Sequence, residues 1–477
     1  MKKSTLVVSG IAGTLILLPA AALVGLPFWL GTEAEKTYQT LLERASRSSG
    51  LVLKGKTYER GWFRSSAETL IRYPGLPLEL TATHKIDHGP FPLTRWLQGD
   101  FSLTPIQARV ESEVRVAAPA GQGGMATLPP LTADLTIDLR GDGRVRITLP
   151  PSRTQGADGA RFDWRGMSGD IDFDREWKKF RLELQAPGFS FTKASDNATE
   201  VSVSNITLRA NLHEGTAGYL FGDNAFAIGQ MNFQSPPAHV TLQGMEIASS
   251  TRAVGESVNM VLDYKIQAVN AAAEHYGPGQ LTVELRKLDA TTLMKFKNEM
   301  ETIYRKDLPP AQASLMTLGK SMELIGALSK KAPELEITRL SFKTAEGELQ
   351  GKGKLVLDGS KANIAENPML LLTALSGNLE LSIPPGMVRQ ILAPLILSDI
   401  ESYRRTGTLS AKERANLDPA TMAKVVDQAL PLYLAQNPFT RNLVLEKDMY
   451  KLRASIRRGQ LLVNDTPWHG ALPSLPQ

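Results

Sequence analysis

"LTADLTIDLRGDGRVRITL", residues 131–149, decides the fold class of this chain. Leu131, Ala133, Leu135, Ile137 and Leu139 alternate with Thr132, Asp134, Thr136, Asp138 and Arg140. After Gly141-Asp142-Gly143, Val145, Ile147 and Leu149 alternate with Arg144, Arg146 and Thr148. Successive strand side chains point to opposite faces, so a period of two gathers the apolar groups on one face and the polar groups on the other. Gly-Asp-Gly supplies turn chemistry. The stretch therefore predicts a β-hairpin with one face to bury and one wet face.

The pattern repeats outward. It recurs in Phe180-Leu182-Leu184, in Val201-Val203 and Ile206-Leu208-Ala210-Leu212, in Val258-Met260-Leu262-Tyr264-Ile266 and in Leu281-Val283-Leu285. Few helical patterns intervene between about residue 50 and residue 285, so these strands should pair antiparallel. Residues 117–130 and 151–160 read as mobile loops. Helical spacing enters later. Asp289 can cap a helix carrying Leu293, Phe296, Met300 and Ile303, and a second pattern covers about 311–330. Asp418-Pro419 places a capping residue and a first-turn proline before a third. Residues 386–403 are helix-like, but Pro394 should kink or split them. Strand patterns return at 346–357, 377–383 and 443–463. The expected class is α+β and β-rich: an N-terminal transmembrane helix, then a long twisted antiparallel sheet partly covered by a few helices. The expected regions are a membrane anchor at 1–32, a β-rich body at 33–285 and an α+β region at 286–477 that can continue the same sheet.

The anchor is read from charge. Ser4 to Thr32 carries none, with Lys2 and Lys3 before it and Glu33 and Glu35 after it. Leu6–Leu30 as a helix would be about 37 Å long at about 1.5 Å per residue, enough for a bilayer core of about 30 Å. The leading lysines predict a cytoplasmic N-terminus and an exported body. A cleaved signal peptide is the rival, with Ala20-Ala21-Ala22 as its small-residue site, but the apolar run continues through Leu23, Val24, Leu26 and Phe28. Beyond this helix, Ala34, Tyr38, Leu41 and Ala45 lie on one helical face, closed by Gly50.

Composition excludes more than it suggests. The chain of 477 residues has no cysteine, which removes disulfides, thiolate catalysis and Cys-ligated zinc. Its net charge of +5 is scattered rather than clustered, so no nucleic-acid partner is expected. The six histidines form no H-E-x-x-H, and no G-x-S-x-G elbow or phosphate-binding loop is present. Gly347 to Gly353 resembles such a loop but reads better as a glycine-punctuated hairpin. No catalytic residue, metal ligand or cofactor is assigned, and the chain is expected not to be an enzyme.

Two motifs remain. In "YERGWFRSS", residues 58–66, Tyr58, Arg60, Gly61, Trp62, Phe63 and Ser65 admit two readings. The aromatics pack on the sheet with Gly61 at a bulge and the arginines solvated, or Trp62 and its flanking arginines meet lipid headgroups. In "HGPFP", His88, Gly89, Pro90, Phe91 and Pro92 form an extended, rigid turn. Together with the anchor and the closing "LLVND" at 461–465, these motifs resemble the YdgA-like family of bacterial inner-membrane-anchored periplasmic proteins, a domain of unknown function. Asp465-Thr466 departs from the glycine-bearing turn expected there. The resemblance implies a single-pass inner-membrane protein with a periplasmic body, and no catalytic residues.

Two functions fit. A long sheet with one apolar face and few helices leaves a groove for lipid or another hydrophobic ligand. Alternatively the chain is an envelope scaffold or assembly factor that binds other proteins, or a homodimer, through its surface.

Overall fold

The computed structural model describes residues 26–27, 29–40, 42–43, 52–72, 79–91, 99, 104–117, 129–156, 159–193, 199–236, 238–271, 274–305, 308–360, 364, 367, 370–405, 419–436, 440–457 and 459–468. Most of the expected anchor, residues 6–25 and Phe28, lies outside them. So do Pro92, Ala45, Gly50, Asp418 and most of 117–130. Among the described residues no helix is long and apolar enough to cross a membrane.

The chain forms two compact units, residues 1–237 with 294–320, and residues 238–293 with 321–477. Each is built on a large antiparallel sheet. Unit one contains helix α1 (residues 26–27 and 29–40) and strands β1 (Val52–Arg60), β2 (Arg64–Arg72), β3 (Glu79–His88), β4 (Ile106–Ala117), β5 (Leu131–Asp138), β6 (Gly143–Leu149), β7 (Ser152–Gln155), β8 (Arg161–Trp164), β9 (Met167–Phe173), β10 (Lys179–Lys193), β11 (Thr199–Glu214) and β12 (Leu220–Ser235). These run as an antiparallel meander in the order β1-β2-β3-β4-β5-β6-β9-β10-β11-β12, with β7 and β8 a small hairpin whose second strand also pairs β10.

The founding hairpin forms as patterned: Leu135 faces Val145 and Ala133 faces Ile147. It closes one residue earlier than the alternation suggests. The Asp138 carboxylate accepts the backbone N–H groups of Arg140 at 2.8 Å and Asp142 at 3.0 Å, which turns the chain there and leaves Leu139 exposed. Cross-strand partners share a face, so Ser65-Ile86-Val110-Leu135-Val145-Ile171-Leu182-Ala210 is one unbroken row across eight strands. The apolar phase changes between Val203 and Ile206, where Asn205 takes φ 56° opposite Pro187 and the register is the same on either side. Residues 152–155 are a strand, not the expected loop, because Ser152 to Gln155 pair with Arg161 to Trp164.

Unit two contains β13 (Ala238–Val254), β14 (Ser257–Ile266), β15 (Ala268–Ala271), β16 (Glu274–Tyr276), β17 (Gly279–Asp289), β18 (Glu334–Thr344), β19 (Gly347–Leu357), β20 (Leu375–Ile383), β21 (Val444–Glu446), β22 (Met449–Arg457), β23 (Gln460–Val463) and β24 (Thr466–Pro467). Its main sheet runs β13-β14-β17-β18-β19-β20-β22-β23. Asn464 and Asp465, with φ 48° and 63°, form the two-residue turn between Val463 and Thr466, so the glycine missing from "LLVND" is replaced by two residues that tolerate positive φ.

Helix α2 (Ala290–Arg305) starts where expected: the Asp289 carboxylate accepts the Thr292 N–H at 2.7 Å. Helix α3 (Pro310–Ser329) follows. In unit two, α4 (Leu371–Ala374) is a single turn, and α5 (Pro385–Arg405) pairs with α6 (Pro419–Gln436). Of the kink or split expected at Pro394, the split does not occur: helix α5 continues through it as one element. Its Val388, Leu392 and Ile396 are buried with Val426 of α6, and Ile383 and Tyr450 of the sheet pack against that cluster. Each such aliphatic side chain contributes about 1.5–3 kcal/mol of burial.

Candidate functional site

The sequence motifs converge on one place in unit one. Strand β1 ends at Arg60, Gly61-Trp62-Phe63 turns the chain, and β2 starts at Arg64, with Arg60 opposite Ser65. The Gly61 N–H donates to the Arg64 carbonyl at 3.0 Å, and a Cβ at 61 would lie 2.3 Å from that oxygen. Gly61 thus serves a tight turn and not the expected bulge; the irregularity in β1 falls between Gly55 and Thr57. Tyr58 packs in the core as expected, 5.4 Å from the Tyr38 ring. Trp62 does not: it is 50% exposed at the hairpin tip. The arginines are paired: Arg60 reaches Glu35 and Thr32 at 3.4 Å, and Arg64 meets the buried Asp87 at 2.7 Å.

His88, the last residue of β3, is the hub. Its backbone N–H donates to the Phe63 carbonyl at 2.9 Å, its Nδ1 lies 3.1 Å from the Trp62 carbonyl, and its Nε2 lies 2.9 Å from Ser65 Oγ. A carbonyl can only accept, so the neutral ring keeps its proton on Nδ1 and Nε2 accepts the Ser65 hydroxyl. Gly89 and Pro90 extend the contact to β4: the Gly89 N–H bonds the Gln107 carbonyl and the Ile106 N–H bonds the Pro90 carbonyl, both at 2.9 Å. The turn expected of "HGPFP" is present through Phe91.

What this cluster holds is α1. Pro27, Leu30 and Ala34 are buried, and a Cβ on Gly31 would sit 2.4 Å from the His88 ring, so the helix lies directly on the imidazole. Two turns later the Tyr38 hydroxyl bonds Thr69 Oγ1 at 2.8 Å, Thr69 bonds His84 Nε2 at 2.8 Å, and His84 Nδ1 bonds Ser112 Oγ at 2.8 Å. Ser65 and His88 have the spacing of a nucleophile and its base, but they are only 2% and 1% exposed. In this state the pair fixes a helix. Asp87, Gly31, Thr69 and Ser112 were not singled out from sequence, while Arg64 was read only as a flank of Trp62 and Tyr38 only as part of a helical face; the placing of Asp87 directly before His88 was the one local cue.

Burial depresses the pKa of both His84 and His88 below the ordinary 6.5, since the imidazolium would lose its hydration. The unfolded chain takes up those protons near 6.5 and the folded chain does not. The contribution to stability is therefore whole above 6.5 and declines as pH falls below it. The urea midpoint should drop between about pH 7.5 and about pH 5.5, and the drop should shrink in His88→Gln. An equal drop in both proteins would contradict the assignment.

A second feature lies in unit two, where cross-strand register gathers apolar rows on one face. Ile247-Tyr264-Leu281-Leu340-Gly351-Leu381-Leu452 is one row. Leu262-Val283-Ile337-Gly353-Leu379-Ala454-Val463 and Met260-Leu285-Leu335-Leu355-Gly377-Ile456-Leu461 are its neighbours. Beyond the first row, Ile266, Gly279, Phe342 and Leu349 form a fourth. The intervening rows carry Lys265, Gln280, Ser341, Gln350, Ser382 and Lys451 on the opposite face. The glycine-punctuated stretch is part of the apolar face: Gly351 lets Leu340 and Leu381 lean over it, at 2.9 and 3.2 Å from where a Cβ would stand.

Between this face and α5 opens a cleft of about 840 Å³, lined by Ile247, Tyr264, Ile266, Tyr276, Leu281, Leu340, Phe342, Leu349, Leu381, Met387 and Ile391. A smaller hollow of about 220 Å³ continues along the same face around Leu335, Ile337, Leu355, Leu379 and Ile456. Hollows of about 530 Å³ around Arg339, Lys352, Glu380 and Arg453, and about 680 Å³ around Glu59, Lys85, Glu111 and Arg146, are polar and lined by charged side chains of both signs. The apolar cleft is the better ligand site, since small-molecule sites are concave and mostly apolar, at about 300–1,000 Å³. Among the described residues no three His, Asp or Glu side chains gather as a metal site.

Residues 1–469 match the model of a family described as "Bacterial protein of unknown function (DUF945)", and the chain belongs to that family. No curated protein matches it.

Proposed function

We propose that this member of a bacterial family of unknown function is a non-enzymatic, membrane-tethered protein of the envelope that holds an acyl chain on the apolar face of unit two. One observation carries the reading: four adjacent apolar rows span the sheet, and helices α5 and α6 cover only part of them. Ile247, Tyr264, Leu335 and Leu355 of that face remain 37–39% exposed, and Ile391 on the helix across the cleft is 58% exposed. Soluble monomers rarely leave contiguous apolar surface beyond a few hundred Å², and larger patches mark binding sites. The uncharged run through residues 6–30 supports an inner-membrane tether with the body in the periplasm, as in the YdgA-like proteins the chain resembles. The clamp around His88 suits such a tether, because it fixes the helix that follows the run to the sheet.

Native mass spectrometry of the full chain should find bound phospholipid or fatty acid. Ile391→Glu places a charge in the cleft at a position that carries little of the fold, and should lower occupancy about tenfold, about 1.4 kcal/mol. Equal occupancy in both proteins, or none in either, would refute the reading.

A further inference from the structure

Helix α1 has two kinds of outward surface. Pro27, Leu30, Gly31 and Ala34 face the sheet, while Leu26 and Trp29 on the opposite side are 41% and 57% exposed. One turn further along the same outward side come Glu33 and Lys36, an ion pair at 2.9 Å. The outward surface therefore changes from apolar to charged within about one helical turn, roughly 5 Å. The β1–β2 hairpin tip lies alongside this end: the Trp62 carbonyl contacts His88, on which Gly31 sits, and Arg60 reaches Thr32 and Glu35. Trp62, half exposed, thus joins Trp29 and Leu26 at the end of the unit where the uncharged run Ser4–Thr32 enters.

We infer that Leu26, Trp29 and Trp62 form a membrane-docking rim through which unit one rests on the phospholipid bilayer. Tryptophan favours the headgroup level, where its ring is apolar and its N–H stays wet. The continuity of the rim with an uncharged, bilayer-length run identifies the partner as the membrane that run enters, a step that rests on the tether reading above. Arg60 and Arg64 are matched by Glu35 and Asp87, so docking is apolar and survives high salt. The clamp at His88 then acquires a purpose, because it holds helix and hairpin tip at one level.

The chain has no cysteine, so a single introduced one takes a fluorophore at one place. The full chain is reconstituted into phosphatidylethanolamine–phosphatidylglycerol vesicles with an environment-sensitive label at Trp62→Cys, or at Glu176→Cys in an exposed turn of the same unit. Emission from position 62 should shift to the blue and intensify, at low and high salt, while position 176 reports water. If the two labels behave alike while the chain floats with the vesicles, the tether stands and the rim is wrong. If the chain does not float, both readings fall. Should the labelled Trp62→Cys chain misfold, quenching by brominated phospholipid serves instead: Trp62→Phe must lose part of the quenching, and unchanged quenching overturns the rim.

Discussion

Replacing His88 by alanine should destabilise unit one by about 3–4 kcal/mol, the largest loss expected from any polar residue of the two motifs. The side chain is 1% exposed, supports Gly31 of α1, and receives the hydroxyl of a Ser65 that is itself 2% exposed. Alanine leaves a cavity under the helix and strands the Ser65 hydroxyl and the Trp62 carbonyl together. Trp62→Ala, in the same motif as Tyr58, should stay within about 0.5 kcal/mol because the ring is half exposed. Urea unfolding followed by hydrogen exchange of peptides from 52–72 and 79–91 measures both. A His88→Ala loss below about 1 kcal/mol would mean that the helix is held by something other than this hub.

Gly89→Ala should cost about 3 kcal/mol, for a different reason. A Cβ there would stand 1.7 Å from the Ile106 carbonyl oxygen and 3.0 Å from that of Gln107. Neither oxygen can withdraw cheaply, since β3 and β4 are tied on both sides of the contact by the Gly89–Gln107 and Pro90–Ile106 hydrogen bonds. The β3–β4 seam should open before the rest of the sheet, so hydrogen exchange should quicken in 79–91 and 104–117 first. Uniform quickening across unit one, or none, would show that the close approach is not what requires glycine at this position.

Local pattern carried most of the fold, and long-range closure carried the rest. Alternation at 131–149, with Gly141-Asp142-Gly143 between its halves, specified two strands and a hairpin, because a one-residue slip would put Leu135 and Val145 on opposite faces. The odd-to-even change between Val203 and Ile206 was visible in the pattern, but not the positive φ of Asn205 that accompanies it while the register is kept. Leu139 misled because a leucine at the right period looks like strand, whereas the Asp138 carboxylate had already captured two turn amides. Ser152 to Gln155 misled in the opposite sense: small polar residues looked like loop, and their strand state depends on Arg161 to Trp164 supplying a partner. Helix α5 was not split at Pro394 because Val388, Leu392 and Ile396 bury a continuous face that outweighs one missing hydrogen bond.

The motif cluster was half legible. The residue types marked positions of consequence, but not which would be buried. Arg64 and Asp87, or Gly31 and His88, are joined only by the meander that lays β3 beside β2 and by the helix that crosses them. The apolar cleft was legible as an imbalance between sheet and helix, and its place was not. That depended on the registers that align Ile247, Tyr264, Leu281, Leu340 and Leu381 across consecutive strands.

The central claim is that the apolar face of unit two carries an acyl chain, and photo-crosslinking tests it most directly. The full chain, reconstituted with a phospholipid bearing a diazirine in its acyl chain, is irradiated and the labelled peptides are mapped by mass spectrometry. The claim predicts adducts in the cleft, on β14, β17, β18 and the first turns of α5 around Tyr264, Leu281, Phe342 and Ile391. Adducts confined to residues 1–32, or spread over the polar rows around Lys265, Gln350 and Lys451, would contradict it.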